Sequence, residues 1–494
     1  MRRMKLATLL SGLMMLASTS LVSAQSTAYT TPFATSITYQ NLGTQQAQVQ
    51  FSFYNDDGAA TQVNRTIAAG AGSSLFVGGL EAGEALPAGF KGSAVLSANQ
   101  PIVATLVQIA QPSSGPNASP VKNRPLSNGF SSAAPNVLLA TVLKNKFRTT
   151  SVFSVQNAEA NTGIDLRIQL FNADNTAAPP IVINETNIPA GAAKYYDMGT
   201  LPQITAAEFN GSATVEAFRT GTQTPAQIVG SVMELSTNSL SAKAFEGITG
   251  GAGRIFMPSA LCDAFSDKQR TAYAVQNNGD AATTVTVRYA SGQQVSREIL
   301  PGAKSSFVAC DDGVPVGTST AATIESSGEE IVVIGKVFAQ PAIPGFETAF
   351  LGEATGADRL ALPYVRWTSQ ANFESGARQR TFIAIQNVGA AAVSGVQVQY
   401  LNAQGTVVGT HTLGNIPAGG KANSTPPDAA ADPNNPPIQL LEFGTPDGNP
   451  TGLGFGGSVI IQAPEGSSLI AVARVASRVG PTQVAEDYNG IDAN

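Results

Sequence analysis

Two cysteines, one histidine and one tryptophan in 494 residues leave little material for metal or thiol chemistry. A single histidine, His411, cannot build the usual multi-histidine metal site. Cys262 and Cys310 lack the paired spacing of a zinc site, and two cysteines are too few for a disulfide-dense scaffold. Charge is scarce as well. Asp, Glu, Lys and Arg make up 13% of the chain and the net charge is −6, so the broad basic surface that a phosphate backbone requires is absent and nucleic acid is not an expected partner. Beyond the first residues no run of about 18 apolar residues occurs, so no spanning helix is expected there. Long 3.6-residue periodicity is missing too.

What is present begins with Arg2, Arg3 and Lys5, an apolar stretch from Leu6 to Leu21, and Val22-Ser23-Ala24 with small residues where a signal peptidase reads. The pattern predicts a signal peptide over 1–24 and export of the remaining 494 − 24 = 470 residues, not membrane-spanning after cleavage. Gly (49) and Pro (29) supply many turns while apolar residues reach 43%, enough to form cores, so an all-β chain is expected.

Self-comparison shows four copies of one module. Gln-Asn closes an alternating apolar segment at Gln40-Asn41, Gln156-Asn157, Gln276-Asn277 and Gln386-Asn387; the Asn residues are 157 − 41 = 116, 277 − 157 = 120 and 387 − 277 = 110 apart. Gly43, Gly279 and Gly389 follow two residues later and predict a turn with positive φ. An alternating strand comes next, as in Leu166, Ile168 and Leu170 around Arg167, then turn residues in which Asn175 stands where sister copies carry Gly. Asn175 is therefore expected in the left-handed region. A Pro-x-Gly turn follows (Ile188 to Gly191, Leu300 to Gly302, Ile416 to Gly419, drifting to Ile67 to Gly70), then Gly-Ser before another strand (Gly92-Ser93, Gly211-Ser212, Gly457-Ser458). About six or seven strands per 110 residues match a two-sheet sandwich. The division is signal peptide 1–24 and β-sandwich repeats over 25–133, 134–248, 249–356 and 357–494, the last with a loop insertion over 424–450. Short Gly- and Pro-rich joints predict modest hinge freedom between modules.

With these motifs in view, the chain resembles exported bacterial proteins built from tandem immunoglobulin-like modules; the Gln-Asn, the Pro-x-Gly turn and the Tyr488-Asn489-Gly490 ending carry the resemblance. It implies four immunoglobulin-like β-sandwich modules and a structural or adhesive role at the cell surface or in the extracellular matrix, secreted or periplasmic, with no catalytic residues to carry over. The expected partners are a cell-surface polymer, a glycan or other copies of the chain. A carbohydrate- or other ligand-binding accessory protein is the alternative.

Few residues invite chemistry. Export predicts a Cys262–Cys310 disulfide, against two separately buried thiols. Arg366-Trp367, in the joint before the fourth module, is the candidate ligand contact, or else packs between modules. No cofactor is expected, although Asp56-Asp57-Gly58 and Asp311-Asp312-Gly313 could offer oxygens to calcium as readily as they form turns. Asn64, Asn184, Asn210 and Asn423 head glycosylation sequons. His411 is expected to be an exposed strand residue. Gly452 to Gly457 matches G-x-G-x-x-G but precedes a strand, so no dinucleotide site is expected.

Overall fold

The computed structural model describes residues 32–111, 119, 121, 123–236, 241–339, 346–368, 379–431, 454–479 and 482–494. The expected signal peptide 1–24, joint residues 112–118 and residues 432–450 of the insertion lie outside the described residues. Among the described residues everything regular is antiparallel strand apart from two short 3₁₀ turns.

Module 1 contains β1 (Phe33–Asn41), β2 (Ala47–Tyr54), β3 (Ala60–Ile67), β4 (Gly72–Phe76), β5 (Ser93–Ala98), β6 (Ile102–Ala110) and β7 (Leu126–Asn128). Module 2 contains β8 (Asn136–Lys144), β9 (Thr149–Asn157), β10 (Ile164–Asn172), β11 (Ile181–Ile188), β12 (Ala193–Asp197), β13 (Phe209–Arg219), β14 (Ile228–Ser236) and β15 (Ala242–Glu246). Module 3 repeats that set as β16 (Arg254–Cys262), β17 (Gln269–Asn277), β18 (Thr283–Tyr289), β19 (Gln294–Ile299), β20 (Lys304–Val308), β21 (Thr318–Ser326), β22 (Ile331–Ala339) and β23 (Glu347–Leu351). Module 4 contains β24 (Arg359–Thr368), β25 (Gln379–Asn387), β26 (Gln397–Leu401), β27 (Val407–Thr412), β28 (Lys421–Ser424), β29 (Ala430–Ala431), β30 (Gly454–Gln462), β31 (Leu469–Val479), β32 (Thr482–Asn489) and β33 (Ile491–Asp492).

Modules 1 to 3 are each built from two sheets, whereas in module 4 the two layers join through the Trp367–Arg380 pairing of β24 with β25 into one ten-stranded sheet. In module 2 the orders are β11-β10-β13-β8 and β12-β9-β14-β15, and module 3 repeats both. Alternation explains the faces: Leu166, Ile168 and Leu170 of β10 point into the core while Arg167 faces water. Modules 2 to 4 open with a strand that precedes the Gln-Asn strand and pairs with the Gly-Ser strand, as β8 does with β13. Sequence reading took the Gln-Asn strand as the first. The opening strand escaped because it is apolar on both faces, as in Val137-Leu138-Leu139-Ala140, and shows no alternation.

The recurring residues hold backbone. The buried Asn157 donates through Nδ2 to Thr162 O (2.8 Å) and Ile188 O (3.0 Å) and accepts from Glu159 N (2.9 Å). Asn41, Asn277 and Asn387 repeat the clamp. Gln40, Gln156, Gln276 and Gln386 donate to the carbonyl of the Pro-x-Gly glycine at 3.2–3.3 Å. Those glycines, Gly70, Gly191, Gly302 and Gly419, have φ of 70°, 76°, 69° and 71°. The Gly-Ser glycine is required for a different reason. A Cβ on Gly92, Gly211 or Gly457 would lie 2.0–2.1 Å from the carbonyl oxygen of Tyr54, Phe171 or Leu401.

Two turn expectations fail. Gly43, Gly279 and Gly389 do not have positive φ; their N–H groups donate to the Asn side chain two residues earlier, and at Gly43 and Gly279 a Cβ would meet Gln100 or Glu329. Asn175 is not left-handed either, unlike Gly58, Gly292 and Gly405. The chain between β10 and β11 is longer there, and Ala178 N closes an ordinary turn on Asn175 O (3.2 Å).

The modules form a closed ring rather than a hinged string. Their last long strands meet in sequence around an axis: β7 touches β15, β15 touches β23, β23 touches β32, and β32 touches β7. Cores run across the junctions, Val332 and Ile334 of module 3 joining the core of module 2, Val472 and Ala485 of module 4 that of module 3, and Val107 and Leu126 of module 1 that of module 4. At these three junctions the expected hinge freedom is replaced by continuous apolar packing, which holds neighbours together as it would hold a single core.

Candidate functional site

Charged groups sequestered around the axis form the densest chemistry among the described residues. Between modules 2 and 3, Glu234 on β14 is fully buried; Lys336 Nζ of β22 approaches it at 2.7 Å and Lys243 Nζ of β15 at 3.6 Å. Lys243 also pairs with Glu347 of β23, which accepts from Ser236 Oγ at 3.2 Å. Burial pushes the Glu234 carboxyl up, but the Lys336 and Lys243 ammoniums outweigh it and hold it below its ordinary range. Lys304, whose Nζ reaches Thr141 Oγ1 at 3.2 Å, is pulled down to about 7 by burial, and the Lys336 charge adds to the fall.

Between modules 3 and 4, Arg474 holds Asp487 through two bonds (2.8 and 2.7 Å), and Thr348 Oγ1 donates to the same carboxylate at 2.6 Å. Between modules 4 and 1, the Arg124 amide donates to Glu486 and Asn128 Nδ2 donates to Asn489 O at 2.8 Å. Asn489 closes the layer, exchanging bonds with Leu351 (2.9 Å each way) and donating to Glu353 at 2.7 Å, while the Asn128 amide donates to Glu246. Burial raises Glu246 to about 7, Glu353 to about 7 and Glu486 to about 8.

The space on the axis, lined by strands of all four modules, leaves no room for a water molecule. Among these described residues the strands meet as a packed joint. A more open depression of 460 Å³ lies on the outer face of β2, β3 and β5, where Gln48, Gln50, Asn64, Ser97 and Asn99 present amides and hydroxyls.

The cysteines form the Cys262–Cys310 disulfide, with Cα atoms 4.8 Å apart, tying the end of β16 to the turn after β20. Lys144 makes the corresponding tie in module 2 through Nζ to Ile204 O at 2.8 Å. Arg366 and Trp367 sit on β24, not in a joint. Trp367 packs edge-on against Phe382 (5.6 Å between centroids) beneath the Arg380 guanidinium (4.6 Å), at the rim of a core that continues into module 1. Arg366 lies over the Tyr364 ring at 4.4 Å. The pair is thus half-buried packing with one exposed aromatic neighbour, Phe382.

Neither Asp-Asp-Gly turn gathers carboxylates. Asp57 caps the Ala59 amide, while Asp312 accepts from Tyr289 (2.7 Å) and pairs with Arg297 (3.2 Å). Of the sequon residues, Asn210 is buried and bonded to Asp174, whereas Asn184 and Asn423 are exposed. His411 is half-buried, not exposed, because its Nδ1 meets Ser424 Oγ at 2.9 Å. Ser424 is fully buried and also bonded to Tyr400 (2.8 Å), so an acyl substrate has no approach to it. The described part of the G-x-G-x-x-G match lies within β30.

Sequence reading missed the axial groups. Their signal was a charge breaking the apolar pattern of three of the four closing strands, at Lys243, Glu347 and Glu486-Asp487. No protein-family model matches the chain, and no curated protein matches it.

Proposed function

We propose that the chain is an exported, non-enzymatic structural or adhesive component of the cell surface or extracellular matrix, acting as a compact ring and not as an extended spacer. One observation carries the reading: the residues that recur in every copy, together with the axial charges, are engaged in holding backbone and joining modules. Contacts with the outside then fall to strand edges, outer faces and loops. The export pattern at the N-terminus supplies the location. Fractionating the source cells and imaging the surface of a deletion strain tests this; the chain is expected in the surface or extracellular fraction, and recovery in the cytoplasm overturns the reading.

The amide-lined depression on β2, β3 and β5 favours a second reading, a glycan- or ligand-binding accessory protein. Saturable binding to purified glycans, lost in Gln50→Ala, would favour it over the first.

A further inference from the structure

The four modules differ in one place. In modules 2, 3 and 4 the Gly-Ser strand, or its counterpart, is covered along one edge by the opening strand: β13 by β8, β21 by β16, β30 by β24. In module 1 the corresponding sheet has only the order β3-β2-β5, and among the described residues nothing pairs with the outer edge of β5.

Core positions beside that edge are more exposed than their equivalents. Leu96 of β5 is half-buried, whereas its equivalents Val215, Ile324 and Ile461 are each 0% exposed. Ala94 is likewise half-buried against buried Ala213, Ala322 and Val459. The neighbouring module shows the same contrast independently. Opening strands also pack on the next module around the ring, as β8 does on β17 and β22. The face of β9 and β14 that such a strand in module 1 would cover carries half-buried Gln156 and Val229, while Gln276, Gln386 and Gln40, and Val332, Ile470 and Val103, are all buried.

Edge strands exposed by design usually carry charge or proline. Arg65 on β3, Glu185 on β11 and Arg297 with Glu298 on β19 do so, but β5 reads Ser-Ala-Val-Leu-Ser-Ala. Shifting Asn136–Lys144 back by the module offset of 116 gives residues 20–28, which straddle the expected cleavage site after Ala24. Processing there would remove five of those nine positions.

The geometry points to the groove between β5 of module 1 and the β9–β14 face of module 2 as a strand-acceptor site. Its occupant is an extended segment of another polypeptide, apolar on both faces like β8, added antiparallel to β5. Alternate side chains would enter the core beside Leu96 and cover Val229. This deepens the proposed surface role and rests on it for where the partner is met; edge pairing itself is measured on purified protein and fails separately from location.

The test uses the whole processed chain and a synthetic peptide with the sequence of Asn136–Lys144. One peptide is expected to bind per chain and to slow amide exchange of residues 93–98 at least tenfold, with a scrambled peptide inert. Val229→Lys, a change on the groove floor, should weaken binding at least tenfold. Amides of 93–98 that are already as protected as those of 213–217 before peptide is added would overturn the proposal, because the chain's own residues then fill the groove. Binding that protects residues other than 93–98 would overturn it as well.

Discussion

The junction between modules 2 and 3 and the junction between modules 1 and 2 share a plan, and among the described residues the second has one strand fewer. At the first, β8 lies between the two cores, Ser212 Oγ donates to Gly302 O at 2.7 Å, and Glu234 and Lys243 are buried with Lys336 and Glu347 half-buried beside them. At the second, Ser93 and Tyr195 make the equivalent cross-links to Gly191 and Gly92, yet Gln156 and Val229 stay half-open. Polar cross-links and a small apolar cluster of Ala110, Val121, Leu235 and Ala242 thus set the position of the neighbouring module. Closing the apolar seam takes the extra strand.

The largest effect in this comparison is expected at the sealed junction. Glu234→Ala leaves the buried Lys243 and the half-buried Lys336 without their shared counter-ion and should cost about 3–5 kcal/mol in denaturant unfolding. The disulfide comes next. Near-zero free thiol is expected in the unfolded, unreduced chain, and the double variant C262S/C310S should lose up to about 4 kcal/mol, the chain-entropy figure for a 48-residue separation. Side-chain truncation compares the complete and open sandwiches directly: Ile324→Ala should cost about 2–5 kcal/mol, and Leu96→Ala roughly half of that, because Leu96 is already part-solvated. Equal costs would mean that the edge of β5 is covered.

A smaller effect follows from the axis. Glu246, Glu353 and Glu486 titrate at about 7, 7 and 8 in the folded chain, above the ordinary value of 4.5, so the native state holds protons that the unfolded chain releases. Their contribution is intact below about pH 4.5 and is lost as pH rises through 7 to 8. The melting temperature should fall between pH 5 and pH 8, and Glu246→Gln should flatten that fall. The smallest effect is at Asn175, whose ordinary backbone makes Asn175→Val and Asn175→Gly equal within about 0.5 kcal/mol.

The sandwich was legible because its fixed points recur: the Asn clamp, the Pro-x-Gly turn and the Gly that lets a strand end approach are each demanded by one backbone geometry, so each copy repeats them. The disulfide was legible for a different reason, an isolated pair in an exported chain. The ring was hidden by the same method that found the modules. Self-comparison keeps what copies share, and the axial residues are the ones that differ, with Pro125, Lys243, Thr348 and Glu486 at matching positions. The opening strands were hidden because burial on both faces erases alternation, which is also why Trp367 read as part of a joint.

That difference at the axis has a further consequence. Four identical subunits around a four-fold axis must present the same residue four times, so a lysine at that position would face three copies of itself and like charges would repel. Linking the subunits in one polypeptide lifts the constraint. Lys243 can face Glu347, and Thr348 can meet Asp487, pairs drawn from two different modules that a homotetramer of any one module could not assemble. Tandem duplication followed by divergence at the axis would turn a symmetric assembly into one with a fixed order of parts, in which each module has a single correct neighbour on either side.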